Sequence, residues 1–410
     1  MNQQKPSHAV MDQFSIENNQ LMVGGLPLGK LAKRVGSTPF YAYDKHIIAR
    51  RIAELRQALP AAIRLHYAIK ANPMPALVQY MASLVDGFDL ASQGEMKIAL
   101  DTSMSADRIS FAGPGKRQAE LNAAIAAGVT INLESQAEFH RVLLAAEITG
   151  VKPKLSIRVN PDFELKSSGM KMGGGPKQFG IDAELVPDLL AELGRHDVEF
   201  MGFHIFSGSQ NLSHEAIIEA QTKTLELAIR LAQHAPSAVQ KLNIGGGFGI
   251  PYFPGESRLT LEPIGENLDS ELTRIKSELP EANVIIELGR YLVGEAGIYV
   301  SQVIERKISR GEVFLIVDGG LHHHLAASGN FGQVIRKNYP VVIGNMVKGK
   351  AETVSVVGPL CTPLDTLAAK MELAEAEAGD LVVIFQSGAY GYTASPHAFL
   401  SHPPPVEVLV

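Results

Sequence analysis

Residues 65–75 read LHYAIKANPMP, an alternating apolar segment that runs into one lysine, Lys70, and stops at Ala-Asn-Pro. In the longer run IRLHYAIK, Ile63, Leu65, Tyr67 and Ile69 fall on one side and Arg64, His66, Ala68 and Lys70 on the other, the two-residue period of a strand. An ammonium buried at the end of such a strand needs a counter-charge or gives up its proton, and a neutral lysine is a nucleophile. A strand-end lysine can also simply snorkel to solvent.

Outward from this strand, helix and strand alternate. Upstream, Asp44 caps KHIIARRIAELRQALP, where Ile48, Ile52, Leu55 and Leu59 are spaced for one helical face that ends before Pro60. Downstream come strand-like runs at GFDLAS (87–92), RISFAG (108–113), VTINLES (129–135), KLSIRVN (154–160), EFMGFHIF (199–206), KLNIG (241–245) and NVIIELG (283–289), with helical stretches such as 118–128, 136–147 and 214–233 between them. With residues 63–69 this makes eight strands over roughly 250 residues, the size of a (β/α)8 TIM-type barrel, with a doubly wound open sheet as the rival. Beyond residue 292 the pattern becomes β-branched runs and turns (297–306, 312–320, 339–345, 351–358, 380–385 and 406–410), an all-β domain that the partly extended N-terminal segment also joins. The expected division is therefore 1–42, an N-terminal segment; 43–292, the barrel; and 293–410, the C-terminal β domain.

The chain has 410 residues, 46% hydrophobic and 20% charged, with a net charge of -6, enough for a large core and without a long basic run that would suit nucleic acid or an anionic membrane. No apolar run approaches the roughly 20 residues of a membrane helix, and the polar N-terminus carries no secretory pattern. A single cysteine, Cys361, rules out an intrachain disulfide and points to the cytoplasm.

In a barrel the C-terminal ends of the strands form the active face. Lys70, Ser92 with Glu95, Arg158, His204 with Ser207, the Gly245, Gly246 and Gly247 run, and Glu287 with Arg290 all fall there. Three glycines after a strand let backbone N–H groups approach a phosphate, although the same run also suits a plain turn, and it is neither a dinucleotide fingerprint nor a Walker loop. The His322–His324 triplet is a weak metal candidate, because consecutive strand residues alternate faces and no carboxylate stands at ligand spacing.

Together YAIKAN (67–72), FDLASQGE (88–95), LSIRVNPD (155–162), GFHIFSGSQ (202–210), NIGGGFGIPY (243–252), ELGRYLVGEAG (287–297), VVGPLCTPLD (356–365) and GAYGYTAS (388–395) resemble, in order, the pyridoxal-phosphate-dependent decarboxylases of the alanine-racemase-like fold type, the group of diaminopimelate, ornithine and arginine decarboxylases. The resemblance covers nearly the whole chain from about residue 20. It implies pyridoxal 5′-phosphate as cofactor, with Lys70 as the Schiff-base lysine, His204 stacked on the pyridine ring, and Glu287 facing the ring nitrogen. Ser207, Gly245, Gly246, Gly247, Arg290 and Tyr390 would hold the phosphate. Cys361 would reach across a homodimer interface to protonate the substrate carbon. Racemases of this fold place an arginine opposite the ring nitrogen, so Glu287 favours decarboxylation. An amino-acid racemase and a catalytically silent PLP-binding homologue are the alternatives.

The departures concern substrate. Diaminopimelate decarboxylases follow the cysteine with Glu-Ser and ornithine decarboxylases with Asp, whereas this chain has Thr362-Pro363. The Arg-Pro motif that binds a distal carboxylate is replaced by LHHHLAASGNFGQVIRKNYP (321–340), which resembles a subgroup found with exosortase and polysaccharide systems. Its relatives include decarboxylases of aminoacyl groups on a carrier protein. The resemblance thus implies removal of the α-carboxylate of an amino acid, either a free diaminopimelate- or ornithine-like one, which these departures fit poorly, or an aminoacyl group tethered to an acyl carrier protein.

Overall fold

The computed structural model describes residues 8–164, 170–171, 173–333 and 337–410; residues 1–7 of the N-terminal segment and 334–336 of the replaced motif lie outside them. Two compact units form. One contains Ile52–Gly249 and Leu259–Gly289, and the other the described residues up to Arg51, Ile250–Arg258 and Arg290–Val410.

The first unit is a closed barrel of eight parallel strands: β1 (Arg64–Ala68), β2 (Gly87–Leu90), β3 (Ile109–Phe111), β4 (Thr130–Leu133), β5 (Lys154–Asn160), β6 (Glu199–Ile205), β7 (Lys241–Gly246) and β8 (Asn283–Leu288). Each strand pairs with the next, and β8 returns to β1 with Ile286 opposite Leu65 and Glu287 opposite His66. The closed ring excludes the open-sheet alternative. Helices α1 (Pro75–Met81), α2 (Gln93–Leu100), α3 (Gln118–Ala127), α4 (Gln136–Thr149), α5 (Val186–Leu193), α6 (His214–Ala232) and α7 (Glu262–Glu278) follow β1 to β7 in turn.

Strand alternation here separates two buried faces. Leu65, Tyr67, Phe88, Ile109, Ile131, Ile157, Phe203 and Ile286 are fully or almost fully buried. The alternate positions carry His66, Asp89, Ser110, Asn132, Asn243 and Glu287, which are also buried. Ser110 donates to Asp89, Asn132 Nδ2 donates to Ser110 Oγ at 3.3 Å, and His66 Nδ1 lies 3.1 Å from Asp89 Oδ2. The interior is thus filled by polar groups that satisfy one another, in place of the aliphatic layers usual in such barrels.

The second unit is built on a sheet that runs, in spatial order, through Val341–Ile343, Leu381–Ile384, Gly297–Ser309, Glu312–Val317, Ala351–Val357 and Thr366–Ala374. The N-terminal strand Phe40–Tyr43 joins it, antiparallel to Gly297–Val300 and parallel to Val406–Leu409. The helix Lys45–Ala58 starts where Asp44 Oδ1 accepts the His46 N–H at 2.9 Å, the cap read from the sequence. Thr366–Ala374 is a strand that the sequence reading does not name. Its Ala, Leu, Lys, Met and Glu favour helix, and pairing with Ala351–Val357 together with burial of Leu367, Ala368 and Met371 overrides that preference.

His322–His324 lie in a turn, not on a strand as the alternating-face argument assumed, and all three are buried. His324 Nδ1 accepts the Ala327 N–H at 3.2 Å, and Nε2 lies 2.9 Å from the Ser387 hydroxyl, which itself donates to the Ile384 carbonyl at 2.9 Å. These partners select the neutral Nε2–H tautomer, since a proton on Nδ1 would meet a backbone N–H. His323 Nε2 faces the Pro403 carbonyl at 2.9 Å. Among the described residues no cluster of three or more His, Cys, Asp or Glu side chains is arranged to hold a metal ion, and no helix is long and apolar enough to cross a membrane.

Burial lowers the pKa of His324 from 6.5 to about 3. The unfolded chain therefore binds the extra proton between these values, and the stability that neutral His324 contributes is complete above about pH 6.5 and lost as pH falls toward 3. Urea unfolding across this range should show a His324→Gln variant with a pH slope shallower by about 1.4 kcal/mol per unit; an unchanged slope would mean that His324 does not titrate on unfolding.

Candidate active site

Lys70 stands just beyond β1 on a single 3-10 turn, Ile69–Ala71. Ile69 and Ala71 are buried, the Tyr67 hydroxyl donates to the Asn72 carbonyl at 2.8 Å, and Asn72 Oδ1 accepts the Met74 N–H at 3.1 Å as α1 begins at Pro75. Everything around the lysine is fixed, while its own side chain is 45% exposed. The cation is offered to the barrel mouth.

Its partner is Glu287, near the end of β8 and 5% exposed: Lys70 Nζ lies 3.5 Å from Oε1 and His204 Nε2 3.1 Å from Oε2. Asn243 Nδ2 donates to Oε2 at 3.4 Å, while Asn243 Oδ1 accepts the Gly245 N–H at 2.9 Å. Burial opposes ionisation of Glu287, but the Lys70 ammonium, His204 and Arg158 outweigh it and hold the carboxyl well below the usual carboxylate range. Arg158 is itself held, with Nη1 2.9 Å from Glu134 Oε1 and its guanidinium 5.0 Å from the Phe179 ring centre. His204 Nδ1 is buried with no hydrogen-bond partner among the described residues.

The glycine run forms because β7 and β8 slip register between Asn243 and Gly246. Gly245 and Gly247 adopt φ of +67° and +74°. A Cβ on Gly246 would sit 2.4 Å from the Glu287 carbonyl oxygen, and one on Gly247 2.4 Å from that of Gly208. Only glycine brings backbone this close. Gly246 and Gly247 line a cleft of about 20 Å³ with Ser207, Asn211 and Gln221. Gln221 is 4% exposed and neither atom of its amide has a hydrogen-bond partner among the described residues.

In the β unit, Arg290 donates through Nη1 to the Tyr252 hydroxyl at 2.7 Å, and its guanidinium lies 4.6 Å from the centre of the Tyr390 ring. Tyr390 has a φ of +54°, a left-handed conformation that costs a non-glycine residue energy and concentrates at functional positions. Cys361 is exposed on the turn between Val357 and Thr366. Ser92 and Glu95 form a helix cap: Ser92 Oγ accepts the Glu95 N–H at 3.2 Å and Glu95 Oε2 the Ala91 N–H at 2.7 Å.

The structure therefore gathers Lys70, His204 and Glu287 into one cluster, Ser207 with the glycine run into a second, and Arg290 with Tyr390 into a third. Asn243, Gln221 and Tyr252 were not singled out from the sequence. Asn243 stands beside the glycine run and braces Gly245, and Tyr252 braces Arg290, but like Gln221 on its long helix both read as ordinary polar positions in the sequence.

Residues 45–294 match the family model described as pyridoxal-dependent decarboxylase, pyridoxal binding domain. The chain belongs to this family. It is 38% identical to the L-glutamyl-[BtrI acyl-carrier protein] decarboxylase of Niallia circulans, over 92% of this chain and 90% of the relative. It is 33% identical to the diaminopimelate decarboxylase of Aquifex aeolicus, over 96% and 91%. The crystal structure of diaminopimelate decarboxylase from M. jannaschii with L-lysine superposes with a TM-score of 0.88 at 25% identity, covering 97% of this chain and 93% of that one.

The residues present fit pyridoxal 5′-phosphate. An aldehyde requires an accessible amine, which Lys70 offers; a pyridinium requires an ionised carboxylate, which Glu287 is; a phosphate requires donors unobstructed by side chains, which the glycine run and the unpartnered Gln221 amide provide. A methyl group at Gly247 should cost about 1–3 kcal/mol of this fit. Gly247→Ala is expected to bind pyridoxal 5′-phosphate about 10- to 100-fold more weakly in a fluorescence titration, with an unchanged far-UV spectrum; wild-type affinity would remove the run from the phosphate site.

Proposed function

We propose that this chain is a pyridoxal 5′-phosphate-dependent carboxy-lyase that removes the α-carboxylate of an amino acid, with an aminoacyl group on a carrier protein as its substrate. The observation that supports the reaction type is the buried, ionised Glu287 beside Lys70. The bound cofactor supplies a ring that takes up the electron pair left at the α-carbon when carbon dioxide departs.

The chain's residues divide the remaining work. The Lys70 amine would anchor the cofactor and later return to displace product. Glu287 would keep a proton on the ring nitrogen, which an ionised carboxylate does and the arginine of a racemase does not. His204 would cover the face of the ring. Ser207, Gly245, Gly246, Gly247, Arg290 and Tyr390 would hold the phosphate, and Tyr252 would aim Arg290 through the 2.7 Å hydrogen bond. Cys361 would deliver a proton to the α-carbon in the partner's site of a cytoplasmic homodimer.

The substrate assignment rests on the turn after Cys361. Its one carboxylate, Asp365, is 2% exposed, and its oxygens accept the N–H groups of Leu321 at 2.6 Å and Leu360 at 2.9 Å. No free carboxylate is left there to meet a distal ammonium, and a buried ammonium facing Thr362 would go unpaired. The carrier-linked substrate in the name of the Niallia circulans relative agrees with this.

Lys70→Ala should abolish turnover, and Glu287→Gln should lower kcat by about 10²–10³ with little change in KM; normal carbon dioxide release from either would remove that residue from its role. Mixing Lys70→Ala with Cys361→Ala subunits should restore about a quarter of wild-type activity if sites are shared across a dimer, and none if they are not. Carbon dioxide release should be fast with a carrier-bound glutamyl group and slow with free diaminopimelate or ornithine; efficient turnover of the free amino acids would overturn the substrate assignment alone.

A further inference from the structure

The N-terminal ends of the barrel strands, opposite the rim that carries Lys70, surround a cavity of about 300 Å³. Arg64 is the first residue of β1 and Lys241 the first of β7, Asp86 immediately precedes β2, Asp107 and Arg108 precede β3, and His66 forms part of the floor. Roughly 15 Å of strand separates Arg64 from the turn that bears Lys70.

The acids of this cavity are already engaged. Asp86 accepts from Arg56 Nη2 at 2.6 Å and from the Leu65 N–H at 2.7 Å. Asp107 accepts from the Ser105 hydroxyl, and Asp89 beneath accepts from Ser110 and faces His66 Nδ1 at 3.1 Å. The cations are held less fully. The Arg108 side chain makes no hydrogen bond or ion pair among the described residues and acts on Asp107 only through its charge, and Arg64 approaches a carboxylate at 3.9 Å, on the already engaged Asp86. Lys241 donates to neutral oxygens, the Asp107 carbonyl at 2.5 Å and Thr130 Oγ1 at 3.1 Å. Burial works against its charge, and Asp107, Asp89 and Glu199 offset that only in part.

Two guanidinium forks and a partly buried ammonium thus face one concave space, at the lower end of the volumes of small-ligand sites. We propose that this cavity is a second anion site, distinct from the catalytic one, that takes a phosphate dianion, either inorganic phosphate or a small phosphomonoester. Arginine forks bind two oxygens of a phosphate at once, and a dianion would add to the partial counter-charge that Lys241 already has.

The test uses enzyme loaded with pyridoxal 5′-phosphate, so that the catalytic phosphate site is filled. Calorimetric titration with inorganic phosphate at constant ionic strength should saturate at one site per chain. Arg108→Gln, which breaks no side-chain hydrogen bond or ion pair among the described residues, and the Arg64→Gln/Arg108→Gln pair should weaken binding by about tenfold or more, while turnover and melting temperature in phosphate-free buffer stay at wild-type values. A parallel titration with glycerol 3-phosphate distinguishes the sources: tighter binding than inorganic phosphate assigns a phosphomonoester, and equal or weaker binding the free ion. Absence of saturation, an equal response to chloride, or unchanged affinity in both variants would overturn the proposal.

Discussion

Glu287 carries the charge on which the catalytic end of the barrel depends. A buried carboxylate stays ionised only where cations and donors replace the water it has lost, and here each replacement comes from a different part of the ring. Lys70 comes from the turn after β1, Arg158 from β5, His204 from β6 and Asn243 from β7, all converging on the end of β8. Their convergence is possible because the barrel closes in the register that sets Glu287 beside His66 and Asn243 beside His204. The register slip that follows Asn243 then makes the glycine run. The barrel register therefore sets both the charge partner and the glycine run.

The barrel interior follows the same logic along its length. A buried carboxylate at one end and a set of charged side chains of both signs at the other would be hard to accommodate at the ends of an aliphatic core. The chain of Asp89, Ser110 and Asn132 between them keeps the interior polar and internally paired. Hydrophobic stabilisation is left to the outward faces, where Leu65, Tyr67, Phe88, Ile131 and Phe203 are buried.

That division explains what could be read from the chain alone. Alternation in IRLHYAIK suggests a strand with one wet face, yet both faces are buried, so the eight strands were legible and the polar interior was not. Short motifs pointed to the residues proposed to touch the cofactor, because that chemistry restricts such positions to a few residue types. The braces were hidden: Asn243 and Tyr252 look like ordinary polar positions until the backbone folds them against Gly245 and Arg290. The strand Thr366–Ala374 was hidden for a different reason, since its helix-forming residues are held extended by a neighbour distant from local sequence preference. The histidine triplet, a weak metal candidate on an assumed strand, lies in a turn where burial lowers the pKa of all three rings.

The order in which the β unit can be completed has a consequence for synthesis. Phe40–Tyr43 needs Val406–Leu409 on one side and Gly297–Val300 on the other, and the Lys45 N–H donates to the Val410 carbonyl at 3.0 Å. At about 5–20 residues per second a ribosome takes roughly 20–70 s to reach that partner after making Phe40. Through that interval every barrel strand emerges while an apolar strand, FYAY, waits with at least one edge unpaired. The nascent chain is most exposed to misassociation at a segment that ends among the best buried in the protein, which makes translation rate and chaperone access a determinant of its yield.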